Sequence, residues 1–198
     1  MEVELIAITK YLDGDSTPEA LIEHAGRVCC NSEGHGDPGK FIRARLDAGH
    51  ESIVEHASAT FEISGISRAC SHQLVRHRLA SFSMRSQRYV DGSNLLAVLP
   101  PAIEDNEDAL HAYSEFLDDA ESAYVRLREL GIKKEDARFV LPNATQTQIV
   151  VTMNFRSLLN FFRLRLAPQA QWEIREMAQQ MLELIEPHAP SVFASLLT

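Results

Sequence analysis

The chain has little cysteine, and the three it has make no framework. Cys29 and Cys30 are adjacent and Cys70 stands alone, which excludes a disulfide scaffold and a zinc spacing and fits a reducing cytoplasm. No run of 18 or more apolar residues occurs, so no membrane span is expected. The first residues, Met1-Glu-Val-Glu-Leu-Ile, lack the basic region and cleavage site of a secretory signal. Neither a glycine-lysine phosphate loop nor a GxSxG elbow is found, which removes ordinary phosphoryl transfer and serine hydrolysis. With 28 acids against 19 bases, the net charge of −9 argues against the broad cationic surface that nucleic acid needs. The 198 residues, 45% apolar and 24% charged, match one globular domain, 1–198.

Lysine is also scarce, at four residues against fifteen arginines. Acids avoid two stretches altogether. Residues 63–90 carry none, where random placement would put about four, yet hold Arg68, Arg76, Arg78, Arg85 and Arg88. Residues 137–172 are also free of acid and hold Arg138, Arg156, Arg163 and Arg165. Arginine is a rigid fork of donors suited to phosphate, carboxylate or a heterocycle edge. Such stretches make either a pocket for an anionic ligand or a solvated basic face, and their apolar content favours the pocket.

Val3–Thr9 alternates and predicts a strand. Thr17-Pro18-Glu19 opens a helix running to about Cys30. Gly34-His-Gly36-Asp-Pro-Gly39 spells GxGxxG, but a helix precedes it and a proline lies inside it, so it reads as a loop. Asp37-Pro38 starts a helix to Gly49, and Ser52 with Glu55 makes a capping box on a short helix. Residues 57–66 alternate as a strand, 67–77 read as helix and 78–89 as an extended loop. A long helix is predicted over 103–130, a short one over 134–141, a strand over 145–153 and helices over 154–166 and 169–185. Strands mixed with long helices, without regular alternation, predict an α+β fold: an antiparallel-rich sheet packed with long helices.

His50 and His56 are six residues apart, about 240° around a helix, so they make a poor metal pair and no metal is expected. His56 reads as a hydrogen-bonded histidine at a helix-to-strand junction, and His50–Ser52 as a candidate phosphate-binding turn. The densest chemistry is Arg76-His77-Arg78 through Tyr89. Arg76 and Arg78 flank the histidine on opposite local faces, an arrangement suited to two ligands. On the helix from Asn154, Asn154 and Arg165 return to one face, while Arg156, Asn160 and Arg163 form a second polar stripe.

Arg76-His77-Arg78, seven residues, then Ser86 resembles the RHRx7S signature of the flavin-dependent thymidylate synthases. The Gly49–His56 segment (GHESIVEH), Gln73, Arg138–Pro142, Asn154–Asn160, Arg165 and Gln171-Trp172-Glu173 are similar to further motifs of that family. The resemblance implies methylation of dUMP to dTMP, with FAD as cofactor and NADPH and methylenetetrahydrofolate as co-substrates. It also implies a cytoplasmic homotetramer whose active sites form where subunits meet. Carried over by position, His50, Ser52, Glu55, Arg76, His77, Arg78, Asn154, Arg156 and Asn160 are expected at FAD. Gln73, Arg76, Met84, Arg85, Ser86, Gln87, Arg88, Gln148 and Arg165 are expected at the nucleotide, with Arg165 at the uracil edge as the catalytic group. Ser86 has no legible base and is read as a binding residue. Two positions depart from the family. Gln148 stands where an arginine is usual, and Met84-Arg85 replaces a polar residue followed by leucine or glutamate. Arg85 is expected to compensate for Gln148 at the phosphate. A relative with altered nucleotide choice, and a non-catalytic flavin or nucleotide binder, are the alternatives.

Overall fold

The computed structural model describes residues 1–32 and 36–197. The beginning of the Gly34–Gly39 loop lies outside them. β1 (Glu2–Ile8) leads to α1 (Pro18–Cys30). Thr17 caps α1 by accepting from the Ala20 N–H, and Pro18 occupies the first turn, where its missing N–H leaves nothing unsatisfied. α2 (Pro38–Asp47) is capped by Asp37, which accepts from Gly39 N at 2.9 Å. A 3-10 turn over Glu51–His56 precedes β2 (Ser58–Ser67), α3 (Arg68–Leu74) and β3 (Ser81–Met84). Next come α4 (Pro101–Glu104), α5 (Glu107–Glu129), α6 (Lys134–Ala137) and β4 (Gln146–Asn154). α7 (Phe155–Arg165), α8 (Trp172–Ile185) and α9 (Pro190–Phe193) complete the chain. The fold is α+β, with a four-stranded antiparallel sheet ordered β1-β2-β4-β3.

Two compact units are distinguished. Residues 1–63, 74–82 and 150–198 form the first, and 64–73 with 83–149 the second. In the first, α1 packs on α2, α2 on α9, and α8 on both α7 and β1. The 3.6-residue period puts Leu158, Leu159 and Phe162 of α7 and Ile174, Met177, Met181 and Ile185 of α8 fully inside. Phe193 meets Phe155 and Phe162 edge-on, with ring centroids 5.0 and 5.9 Å apart, a geometry aromatic quadrupoles favour.

In the second unit α5 packs against α4 and α6. Of its apolar stripe only Ala120 and Tyr124 are buried; Leu110, Tyr113, Leu117 and Leu127 are half-buried. The Tyr124 hydroxyl accepts from Gly92 N at 3.1 Å. A Cβ on Gly92 would come within 3.1 Å of both Leu141 and the Tyr124 ring, so glycine is what lets the backbone approach the phenol. β2 alternates cleanly until Ser64, then Gly65 takes φ 71° and Ile66 and Ser67 are both buried. That slip, which glycine permits, turns the strand before α3.

Four expectations are corrected. The segment 78–89 contains β3, because Ser81-Phe-Ser-Met84 alternates and pairs as an edge strand. The predicted helix 103–130 is two helices, since the Asn106 side chain accepts from Ala109 N and starts a new N-terminus. The capping box does not form: no side chain caps the 3-10 turn, and the Glu55 carboxylate goes to Arg156 instead. His56 lies at its junction but is exposed, with no side-chain hydrogen bond among the described residues. No helix among those residues is long and apolar enough to cross a membrane.

Candidate functional site

Each unit has a cavity that gathers predicted residues. In the first unit, α7 starts where the Asn154 side chain accepts from Ser157 N at 2.8 Å. From there the polar stripe Arg156, Asn160, Arg163 faces a cavity of about 840 Å³. The turn between α3 and β3 contributes Arg76, His77 and Arg78, and the 3-10 turn adds Glu51 and Glu55. Arg76 and Arg78 therefore share one cavity, where opposite local faces had suggested two ligands.

Five arginines meet two glutamates in this lining. Glu51 holds Arg163 at 2.7 Å and approaches Arg156 at 3.9 Å, while Glu55 bonds Arg156. The Glu55 hydrogen bond and charge, with a smaller push from Glu51, hold the Arg156 guanidinium still more firmly protonated. Arg165 donates from Nε to His77 Nε2 at 2.9 Å, and the His77 ring rests edge-on against Phe161. Burial, and then the neighbouring Arg165 charge, push the His77 pKa down. Neutral His77 can accept at Nε2 only with its proton on Nδ1. Three arginines beyond the two carboxylates make this lining suited to a polyanion.

In the second unit a cavity of about 330 Å³ is lined by Ser64, Gly65, Arg68, Arg85, Ser86, Gln87, Asp91, Asn94 and Gln148, among others. Its size falls in the range of small-ligand sites. Arg85 Nη2 donates to Gln148 Oε1 at 2.6 Å, and Arg85 N to Gln148 O at 2.9 Å. The two departures from the family motif are thus bonded to each other. Asp91 is drawn below the usual carboxylate range by Ser93, whose hydroxyl and backbone N–H both bond it, with help from Lys134 and Arg128.

The structure does not bring every expected residue to a cavity. His50 and Ser52 are exposed and outside the first lining, and Gln73 and Met84 are outside the second. Arg88 is also absent from the second lining, its guanidinium paired with Glu135 at 3.1 Å. Arg165 lines the first cavity, with the residues expected at the flavin. Sequence reasoning assigned no role to Glu51, Arg163 or Arg68. Both arginines lie in the acid-free stretches, which is the signal that marked them.

Comparison with known proteins agrees. Residues 9–191 match the family model described as thymidylate synthase complementing protein. A flavin-dependent thymidylate synthase of Geobacter sulfurreducens is 45% identical over 187 residues, covering 89% of this chain and 81% of its own length. One from Nitratidesulfovibrio vulgaris is 50% identical over 164 residues, covering 79% and 67%. The crystal structure of the Helicobacter pylori enzyme, complexed with FAD and dUMP, aligns over 100% of both chains with a TM-score of 0.76 and 26% identity. With an arginine-rich cavity, the RHRx7S signature and relatives matched along most of its length, the chain belongs to the family of the flavin-dependent thymidylate synthases.

Proposed function

We propose that the chain methylates dUMP to dTMP, with FAD as cofactor, methylenetetrahydrofolate as carbon donor and NADPH as reductant. The observation that carries this reading is the first-unit cavity, whose lining gathers Glu55, Arg76, His77, Arg78, Asn154, Arg156 and Asn160, all of them positions expected at the flavin. The donor set fits FAD, because a pyrophosphate needs several fixed cations and hydrogen-bond donors. Arg76, His77, Arg78, Asn154, Arg156 and Asn160 would hold it, with Glu55 fixing Arg156; His50 and Ser52 are proposed at its edge. When bound, FAD supplies the redox chemistry, and the protein supplies orientation and electrostatics.

The nucleotide is assigned to Gln73, Met84, Arg85, Ser86, Gln87, Arg88 and Gln148 of one copy, with Arg76 and Arg165 supplied by another. Ser86 and Arg85 would hold the phosphate, Arg85 being oriented by Gln148. Arg165 would face the N3/O2 edge of uracil and stabilise negative charge developing on the ring. Its hydrogen bond to His77 fixes where that guanidinium lies. The whole chain is read as one synthase domain acting in a cytoplasmic homotetramer, with sites completed by other copies.

The test is twofold. Protein incubated with FAD and desalted should keep the flavin absorbance bands, and should release tritium from dUMP labelled at C5 when given NADPH and methylenetetrahydrofolate anaerobically. A colourless protein that refuses added FAD would reject the reading. The Arg85–Gln148 pair also favours a second reading, altered nucleotide choice. Comparing dUMP with deoxycytidylate and uridylate separates the two.

A further inference from the structure

Arg68 is the cavity cation that the motif left unassigned. It follows the turn at Gly65 and lies half-buried in the second-unit lining, beside Ser64 and close in sequence to no acid. It forms no ion pair among the described residues. The one carboxylate of that lining, Asp91, is engaged by Ser93 and Lys134. The charged neighbour Arg68 does have is another cation. Arg138 raises its electrostatic cost, and burial raises it more, so both push the Arg68 pKa down. Arg138 itself donates from Nε to the Glu135 carbonyl at 3.0 Å.

A partly buried charge with no counter-charge is costly. None of the acids among the described residues forms an ion pair with Arg68. The other arginines nearby are committed: Arg88 to Glu135, and Arg85, through one Nη, to Gln148. Arg68 is left with its charge unanswered in the wall of a donor-lined cavity.

We propose that Arg68 is a binding residue for the phosphate of the nucleotide substrate, its charge answered by the dianion. The proposal rests on reading the second-unit cavity as the nucleotide site. It divides the work there: Gln148 fixes Arg85 as a directional donor, and Arg68 supplies the uncompensated charge. A neutral nucleoside would leave that charge unpaired, so the cavity would select phosphorylated substrates.

The experiment compares wild type, Arg68→Met and Arg68→Lys, all loaded with FAD. Affinities for dUMP and for deoxyuridine are measured by calorimetry, and Tm is measured without nucleotide. Charged hydrogen bonds of this kind correspond to about 10–100-fold in affinity. Arg68→Met should weaken dUMP by that factor and leave deoxyuridine unchanged, with partial recovery in Arg68→Lys. Its Tm without nucleotide should be unchanged or raised, because an unpaired charge has been removed; a structural arginine would lower it. Equal loss for dUMP and deoxyuridine, or a fallen Tm, would overturn the proposal. If wild type itself does not prefer dUMP over deoxyuridine, the reading of the cavity fails first.

Discussion

Arg165 and His77 share one hydrogen bond, 2.9 Å from Nε to Nε2, and it exists only while the histidine is neutral. Burial and the adjacent guanidinium both favour that neutral form. The folded-state pKa lies below the unfolded value of about 6.5, so the unfolded chain binds more protons as pH falls. The contribution is therefore complete above pH 6.5 and is lost as pH drops through the lowered value. We expect an acid limb in kcat below the ordinary histidine range. His77→Gln keeps an acceptor that does not titrate, and should flatten that limb in a pH–rate profile; an unmoved limb would assign it elsewhere.

Arg85→Ala should raise KM for dUMP by about 10-fold or more and leave FAD retention intact. Gln148→Ala should have a smaller effect in the same direction, since it frees Arg85 without removing its charge. The double variant should be no worse than Arg85→Ala alone, because Gln148 acts through that arginine. Steady-state kinetics of the three variants check this, and an unchanged KM in Arg85→Ala would discard the compensation.

Arg163 pairs with Glu51 at 2.7 Å with about half its side chain exposed. Arg163→Ala should therefore change stability by less than about 1 kcal/mol. Flavin retention after desalting should nevertheless fall, since the variant removes one of five cavity cations. Chemical denaturation and the ratio of flavin to protein absorbance read the two effects separately.

Phe162 is fully buried and touches both Phe161 and Phe193 edge-on. Phe162→Ala should cost about 3–5 kcal/mol and lower the denaturation midpoint far more than Arg163→Ala. A loss below 1 kcal/mol would mean that α7 is not held by this cluster.

The periodic elements were legible because burial repeats along them. The apolar stripe of α7 and the alternation of β2 and β4 are written residue by residue, and Thr17-Pro18 and Asn154 announce their own caps. β3 was hidden because Ser81 and Ser83 resemble loop residues until a neighbouring strand accepts them. The break at Asn106 is not legible because its cap interrupts an otherwise continuous helical pattern. Glu55 had two possible partners, a local N–H and a distant arginine, and only the fold decides between them. The same holds for Arg68 and Arg88. Both lie in one acid-free stretch, yet Glu135, far away in sequence, claims Arg88 and leaves Arg68 in the cavity wall. The motif marks the segment, but only the fold shows that Arg88 has an acidic partner and that Arg68 has none among the described residues.

Five arginines against two glutamates in one cavity also make ionic strength act in two directions. Salt screens the repulsion among the arginines left in excess of Glu51 and Glu55, and relaxes the protein when no anion is bound. The same screening weakens the hold on a bound pyrophosphate. A high-salt purification step would strip colour from the protein without unfolding it, so loss of flavin and loss of structure are separable events, and dilution into low salt with added FAD should reverse the first.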